Sequence, residues 1–425
     1  VAPGKLPRAK GVEMKFDALR SPRYRRFWLG SIGSTGATQL YFVGMAWLVF
    51  ELSGSALDLG LLGGAMAVPA IIATLAGGLI ADRGNRRKVL LITSVLAGVA
   101  LAILALLDAT GSVAVWHVLV IAAVLGLISG FDMPARVSFF PALIEPEQMM
   151  SAVALNSILW QGTRMILPAI GGVLIAVADT SVIFALCTVG FATMAFILAR
   201  LEVNPSTDLP AEGDRGLMAA LRFIWQERLF AVLIALTWIL MFFGTSYVQI
   251  MPVFSELLGG GEKGYGLLIS ATGVGSVTGT LLVGRLQRSA KLGRIMLGGA
   301  LVFALALICF AIVTQNANSL PWAFVGACLF AILASIGGSF FLISSMTVMQ
   351  LAVPDALRGR VMGIHSITFS LIALGGLVLG PLAELYSPPI AVTCGALVVG
   401  VSVAIASVAF PHIWHLDGGK LTTPS

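Results

Sequence analysis

The chain consists almost entirely of long apolar runs separated by short polar loops, a pattern that restricts it to a membrane-spanning fold. A helix needs about 20 mostly apolar residues to cross about 30 Å of hydrocarbon, and at least ten stretches reach that length. Unpaired backbone is prohibitively costly in lipid, and the alternating pattern of a barrel strand is absent, so each run reads as a helix. Charge content agrees: 11% of residues are charged and 58% are apolar, against about 25% charged in a soluble domain.

The runs predict an all-α polytopic membrane protein with twelve transmembrane helices. The first six lie at Tyr24–Leu52, Leu57–Ala81, Val89–Leu107, Val113–Ala135, Met150–Ala178 and Val182–Leu201. The second six lie at Leu229–Phe254, Tyr265–Arg285, Ile295–Val313, Leu320–Leu351, Val361–Leu385 and Ile390–Phe410. Residues 1–23 form a cytosolic N-terminal segment, 24–201 and 229–410 two six-helix bundles, and 411–425 a cytosolic tail. Between the bundles, 202–228 reads as a cytosolic linker ending in an amphipathic surface helix, since it carries Pro205, Pro210, Gly213 and mixed charges.

Lys and Arg accumulate in short cytoplasmic loops. With the N-terminus inside, 24 of the 26 basic residues become cytosolic, the exceptions being Lys263 and Arg164. Dropping any one helix would send the following basic loops outside, so the count checks itself. Val1–Arg26 is basic and lacks the apolar core of a cleavable signal. The expected location is a bacterial or archaeal plasma membrane, with both termini cytosolic. The +6 charge belongs to loops and lipid contact, not to a nucleic-acid partner.

The halves repeat. Leu59-Gly60-Leu61-Leu62 recurs as Tyr265-Gly266-Leu267-Leu268 at a shift of 206, which also carries Gly78 onto Gly284. Pro146 and Gly172 map onto Pro354 and Gly380 at a shift of 208. Parallel six-helix repeats, with substrate held between them near the midplane, are the plan of a large transporter class.

The loop Gly78-Leu79-Ile80-Ala81-Asp82-Arg83-Gly84-Asn85-Arg86-Arg87-Lys88 resembles the signature loop of the major facilitator superfamily, with Asn85 at the usual Gly site. Phe131-Asp132-Met133-Pro134-Ala135-Arg136 and Val353-Pro354-Asp355-Ala356-Leu357-Arg358-Gly359-Arg360-Val361-Met362-Gly363 resemble the branch that includes enterobactin exporters and macrolide efflux pumps. The resemblance covers roughly Phe27 to Phe410. It implies the major facilitator fold and a secondary exporter of amphipathic small molecules, commonly driven by proton exchange, with no cofactor.

Several residues are candidates for that work. Asp82 can cap a helix or pair with Arg136, forming a gate with Arg83, Arg86 and Arg87; equally, the basic residues can enforce topology and bind lipid head groups. The position aligned to Asp82 in the second half is Arg288, so the gate is asymmetric. Asp132, with Arg136 four residues on, is the candidate for proton coupling. Glu51, Asp58 and Glu384 fall at outer helix ends and read as solvated or capping carboxylates.

Arg164, near the bilayer centre with Gln161 one turn earlier, must face the protein interior. With Gln39, Tyr41, Trp160 and Trp238 it is assigned to a substrate cavity; Gln249, Gln350 and His365 are weaker candidates. Leu167-Pro168-Ala169-Ile170-Gly171-Gly172 resembles the antiporter signature, though Leu167 replaces its Gly. Pro168, Gly171, Gly172, Gly376 and Gly380 are expected to serve helix packing. Trp28, Trp47, Trp116, Trp322 and Trp414 sit near span ends and read as interfacial anchors.

Cys187, Cys309, Cys328 and Cys394 lie in apolar segments without metal or disulfide spacing and read as packing residues. No metal, hydrolytic or nucleotide-binding motif occurs, so neither an enzyme nor an ATP-driven pump is expected. The expected partners are a small amphipathic substrate, protons and membrane lipids, with the chain acting as a monomer. A non-transporting membrane sensor or assembly factor on the same scaffold, or a lipid flippase, remains open on sequence alone.

Overall fold

The computed structural model describes residues 17–81, 85–201, 222, 224–286, 291–353 and 368–417. Six helices form the first half: α1 (Pro22–Ser53), α2 (Ala56–Ala81), α3 (Arg86–Ala109), α4 (Val115–Phe139), α5 (Met149–Ala178) and α6 (Thr180–Arg200). The second half contains α7 (Arg228–Leu257), α8 (Gly261–Leu286), α9 (Leu292–Gln315), α10 (Ala323–Ala352), α11 (Thr368–Leu385) and α12 (Pro388–Ala409). Eleven of these are long and apolar enough to cross a membrane by composition alone. The twelfth, α1, spans 32 residues, and its apolarity is diluted by Ser31, Ser34, Thr35, Thr38 and Gln39.

Local chemistry sets the helix ends. Ser21 accepts a hydrogen bond from the Tyr24 amide to start α1, ahead of Pro22 in the first turn, and Gly54, at φ 64°, ends it by donating to the Phe50 carbonyl. Asn85 caps α3, its side chain accepting from the Lys88 amide at 3.2 Å. Ser387 does the same for α12 through the Ile390 amide at 3.3 Å.

The two halves are built alike. In the first, α1 packs on α5 and α6, α3 on α4 and α6, and α2 on α4; in the second, α7 packs on α11 and α12, α9 on α10 and α12, and α8 on α10. Between halves, α2 packs on α11 and α8 packs on α5, the reciprocal pair expected of a pseudo-twofold axis along the membrane normal.

Glycines allow these crossings. A Cβ on Gly380 would lie 3.1 Å from the Gly60 Cα, and one on Gly172 would lie 2.7 Å from the Gly266 Cα. Four glycines of the sequence repeat, Gly60, Gly172, Gly266 and Gly380, thus lie at contacts between the halves.

Two expectations need correction. Helix 7 is not a regular α-helix: it is α-helical over Arg228–Ile239, makes a π turn over Leu240–Gly244 and a 3-10 stretch over Thr245–Ile250, then returns to α over Met251–Leu257. Gly244, Thr245 and Ser246 permit this, because the Ser246 hydroxyl satisfies the Phe242 carbonyl at 2.6 Å and Thr245 donates to the Leu240 carbonyl at 3.4 Å. The Phe242 and Phe243 carbonyls press against Gly375 of α11 and Gly395 of α12, where a Cβ would come within 2.0 and 2.2 Å.

Trp47, assigned to the interface, is instead 5% exposed and stacks on Tyr265 of the opposite half at 5.9 Å. Position near a span end does not reveal that a neighbouring bundle covers it. Trp116 and Trp322, by contrast, are well exposed.

Candidate functional site

The face at which α1 begins carries Arg23, Arg25, Arg26, Arg86, Arg87, Lys88, Arg200, Arg228, Arg285 and Arg294. The opposite face carries Glu51, Asp58, Asp108, Asp179, Glu256, Glu262 and Glu384. Contacts between the halves run from this acidic face towards mid-depth. On one side Gly60 meets Gly376 and Gly380, and Gly63 meets Ala373; on the other Gly172 meets Gly266, and Gly273 meets the Arg164 carbonyl and Met165 Cα. Glu384 of α11 adds a polar tie, accepting from the Ala56 amide at 3.0 Å and the Ser55 hydroxyl at 3.4 Å at the start of α2.

Below Arg164 the halves part. Met150, Ser157, Gln161, Arg164, Pro168 and Gly172 share one face of α5 at helical spacing. Pro168 and Gly172 are buried against α8, while Arg164, Ser157 and Met150 are exposed, Met150 to 79%. The interior is therefore closed at the acidic face and open towards the basic face.

A cavity of about 260 Å³ extends from this opening into the first bundle. One wall is polar: Ser34, Thr35, Thr38 and Tyr41 of α1, Thr93 of α3, and Ser129, Asp132 and Arg136 of α4. The other is apolar, with Phe42, Met66, Met133, Trp160, Phe191 and Phe369. Ser31, Ser34, Thr35 and Thr38 recur at i, i+3, i+4 and i+7, so the hydroxyls that α1 contributes lie on one stripe of that helix.

At its end lies an ion pair. Arg136 Nε donates to Asp132 Oδ2 at 3.0 Å, Thr93 Oγ1 donates to Asp132 Oδ1 at 2.9 Å, and Arg136 Nη1 donates to Ser31 Oγ at 3.2 Å. The two side chains are 10% and 18% exposed for Arg136 and Asp132. Charges this sheltered require such compensation, and removal of one partner leaves the other uncompensated.

Residues 14–417 match the sequence pattern of the transmembrane secretion effector family, a branch of the major facilitator superfamily. The chain belongs to this family. Within the major facilitator superfamily it is 27% identical to the enterobactin exporter EntS of Escherichia coli K12 over 373 residues, covering 84% of both chains. It also resembles the solved nucleoside transporter NupG, with TM-score 0.71, 12% identity and coverage of 93% of this chain and 99% of that one. A bacterial homologue of the human lysosomal transporter Spinster, in an inward-facing, unoccupied conformation, gives TM-score 0.70 and 15% identity over 96% of this chain and 99% of its own. The last two likenesses establish the fold.

Against the major facilitator pattern, the expected site residues fall into several groups. Tyr41 and Trp160 line the cavity; Gln161 and Arg164 lie on the open face of α5; Gln39 and Trp238 are not among the cavity's lining residues. Arg136 is engaged with Asp132 and Ser31, whereas Asp82 and Arg83, its expected gate partners, lie outside the described residues, as do Arg288, His365 and most of the linker. Arg86 donates to the Ser138 carbonyl at 3.1 Å, and Arg87 donates to the Leu198 and Ala199 carbonyls at 2.6 and 2.5 Å. These two arginines tie the end of the signature loop to the C-terminal ends of α4 and α6, where helix dipoles favour cations.

Thr93, Ser31, Ser34, Thr35, Thr38 and Phe369 were not anticipated. The α1 hydroxyls carried a readable signal in their spacing; Thr93 and Phe369 carried none.

Arg164 stands apart. It lies midway along α5, where an unpaired cation facing lipid costs at least about 2.5 kcal/mol. Among the described residues no carboxylate lies within 4.0 Å of it. Its side chain is exposed, on the face of α5 that also carries Ser157 and Met150.

Proposed function

We propose that this transporter exports amphipathic small molecules by alternating access, driven by proton exchange. The observation that carries this reading is the pairing of a glycine-packed closure at the acidic face with a mainly apolar cavity, polar along one wall, open to the basic face. A rocking motion that parts the α2–α11 and α5–α8 contacts would open the same cavity to the other side. The exporter direction draws on the likeness to the enterobactin exporter EntS and on the expectation that a basic face is the cytosolic one.

In this reading residues 24–201 and 229–410 are the moving bundles, 202–228 joins them, and a monomer in the bacterial inner membrane suffices. Asp132 is the coupling group. Protonation cancels its charge, weakens its bonds to Arg136 and Thr93, and so loosens the link between α4 and its neighbours α1 and α3.

Everted membrane vesicles containing the chain should accumulate an amphipathic fluorescent probe when energised and lose it on addition of a protonophore. Accumulation equal to that of vesicles lacking the chain overturns the transporter reading. Protonophore-insensitive accumulation, or coupling retained in Asp132→Asn, overturns the proton-coupled form alone.

A further inference from the structure

Two observations reach beyond the general reading of an amphipathic cargo. The first is a charge imbalance. Within the described helices only Asp132 and Arg164 lie more than a turn and a half from a helix end, and Asp132 is already neutralised by Arg136. Across α7–α12 every charged side chain described sits near an end, so among the described residues the second bundle offers Arg164 no counter-charge. Among the described residues the deep interior thus carries one net positive charge, placed at the apex of the opening where α5 meets Gly273 of α8.

The second observation concerns the pocket itself. Ser34 is 1% exposed, lines the cavity, and its hydroxyl has no hydrogen-bond partner among the described residues. A buried hydroxyl without a partner is costly, and here it borders an empty volume. Trp160 joins the two features, because it lines the cavity and precedes Arg164 by one turn on α5.

From these we propose that the substrate is an organic anion, with an apolar, ring-bearing body seated between the α1 hydroxyl stripe and Trp160 and an acidic group held by Arg164. The inference rests on the transporter reading and narrows its substrate class. A cationic amphiphile meets repulsion at Arg164 and finds Asp132 already committed to Arg136. A neutral amphiphile gains the pocket but leaves Arg164 without a counter-charge. An anion satisfies Arg164 while its body fills the pocket, and the guanidinium can grip a carboxylate or sulfonate through two parallel bonds.

The test uses purified full-length protein in detergent and three probes sharing one ring system: 2-naphthoate, 2-naphthamide and 2-naphthylmethylammonium. Binding is read by titration of tryptophan fluorescence. Wild type should bind 2-naphthoate at least tenfold more tightly than either other probe, Arg164→Gln should abolish that preference, and Arg164→Lys should keep part of it.

Equal or tighter binding of the amide or ammonium, a preference that survives in Arg164→Gln, or no binding of any probe overturns the proposal. Should Arg164→Gln not fold, the wild-type comparison alone decides. A clear anion preference without energised uptake in vesicles sinks the exporter reading but leaves this one standing. Energised uptake that favours the ammonium probe does the reverse.

Discussion

Gly60→Ala is the most direct probe of the closure at the acidic face. The added Cβ would lie 2.4 Å from the Gly376 carbonyl oxygen, where ordinary van der Waals contact begins at 3.4 Å, a shortfall of about 1 Å. Both sides of this contact are helix backbone, so no side chain can swing away; α2 and α11 must separate. Overpacking of this kind costs about 1–3 kcal/mol, and it acts only on the state in which the helices touch.

With tenfold per 1.4 kcal/mol, the closed state should lose about 5- to 140-fold in population relative to a state opened at the acidic face. Gly266→Ala, at 2.8 Å from the Gly172 Cα and the Pro168 carbonyl oxygen, falls short by less and should shift the balance less. Gly162→Ala, whose Cβ meets nothing within 4 Å, should leave it unchanged.

The assay is a spin-label distance between exposed Leu57 and Tyr386, at the acidic-face ends of α2 and α11, in a background freed of the four native cysteines. Gly60→Ala should lengthen and broaden the distance distribution, with Gly266→Ala intermediate. A distribution for Gly60→Ala indistinguishable from wild type would show that the two glycine backbones do not form the closure.

Three further outcomes follow from the same geometry. Glu384→Gln weakens the tie to the α2 N-terminus and should lengthen the same distance modestly, with a less-than-additive effect in combination with Gly60→Ala, since both act on one contact; full additivity would separate them. Asp132→Ala leaves Arg136 uncompensated and should destabilise by about 3–5 kcal/mol, less whatever its partial exposure recovers, whereas Asp132→Ala with Arg136→Met should regain much of the loss in a thermal unfolding scan. Impermeant maleimide applied to intact cells should label Gly111→Cys, at the acidic face, and spare Asn85→Cys, at the basic face; the opposite pattern inverts the topology and the export direction with it.

What could be read without coordinates was whatever depends on position along one dimension. Helix count follows from apolar length, and the Asp132–Arg136 pair follows from helical spacing. The repeat anchors Gly60, Gly172, Gly266 and Gly380 were visible because a symmetric interface demands a small residue at equivalent places in both halves. Adjacency between distant helices was not visible. Trp47 looks like an interfacial residue until Tyr265 is known to cover it, and Thr93 gives no hint that it faces Asp132. The break in α7 was hidden for a related reason. Gly244-Thr245-Ser246 tolerates a π turn, but the neighbouring glycines, Gly375 and Gly395, lie more than a hundred residues away.

The two halves share a framework but not a chemistry. Among the described residues, deep charge, the hydroxyl stripe and nearly all of the cavity belong to α1–α6, while Phe369, Ser370 and Ala373 of α11 are the second half's contribution to that pocket. The second half supplies mechanics instead: the π turn of α7 and its tight glycine seats on α11 and α12. A rocking transporter needs only one bundle to hold the cargo and sense protons, provided the other gives a surface that seals and releases. That division makes separable consequences follow from substitution. Changes at Asp132, Arg136 or Arg164 should alter what is bound and whether transport follows the proton gradient. Changes at Gly375 or Gly395 should slow the motion while leaving binding selectivity intact. If Gly375→Ala altered the preference among the naphthyl probes as strongly as Arg164→Gln, this division of labour between the halves would be wrong.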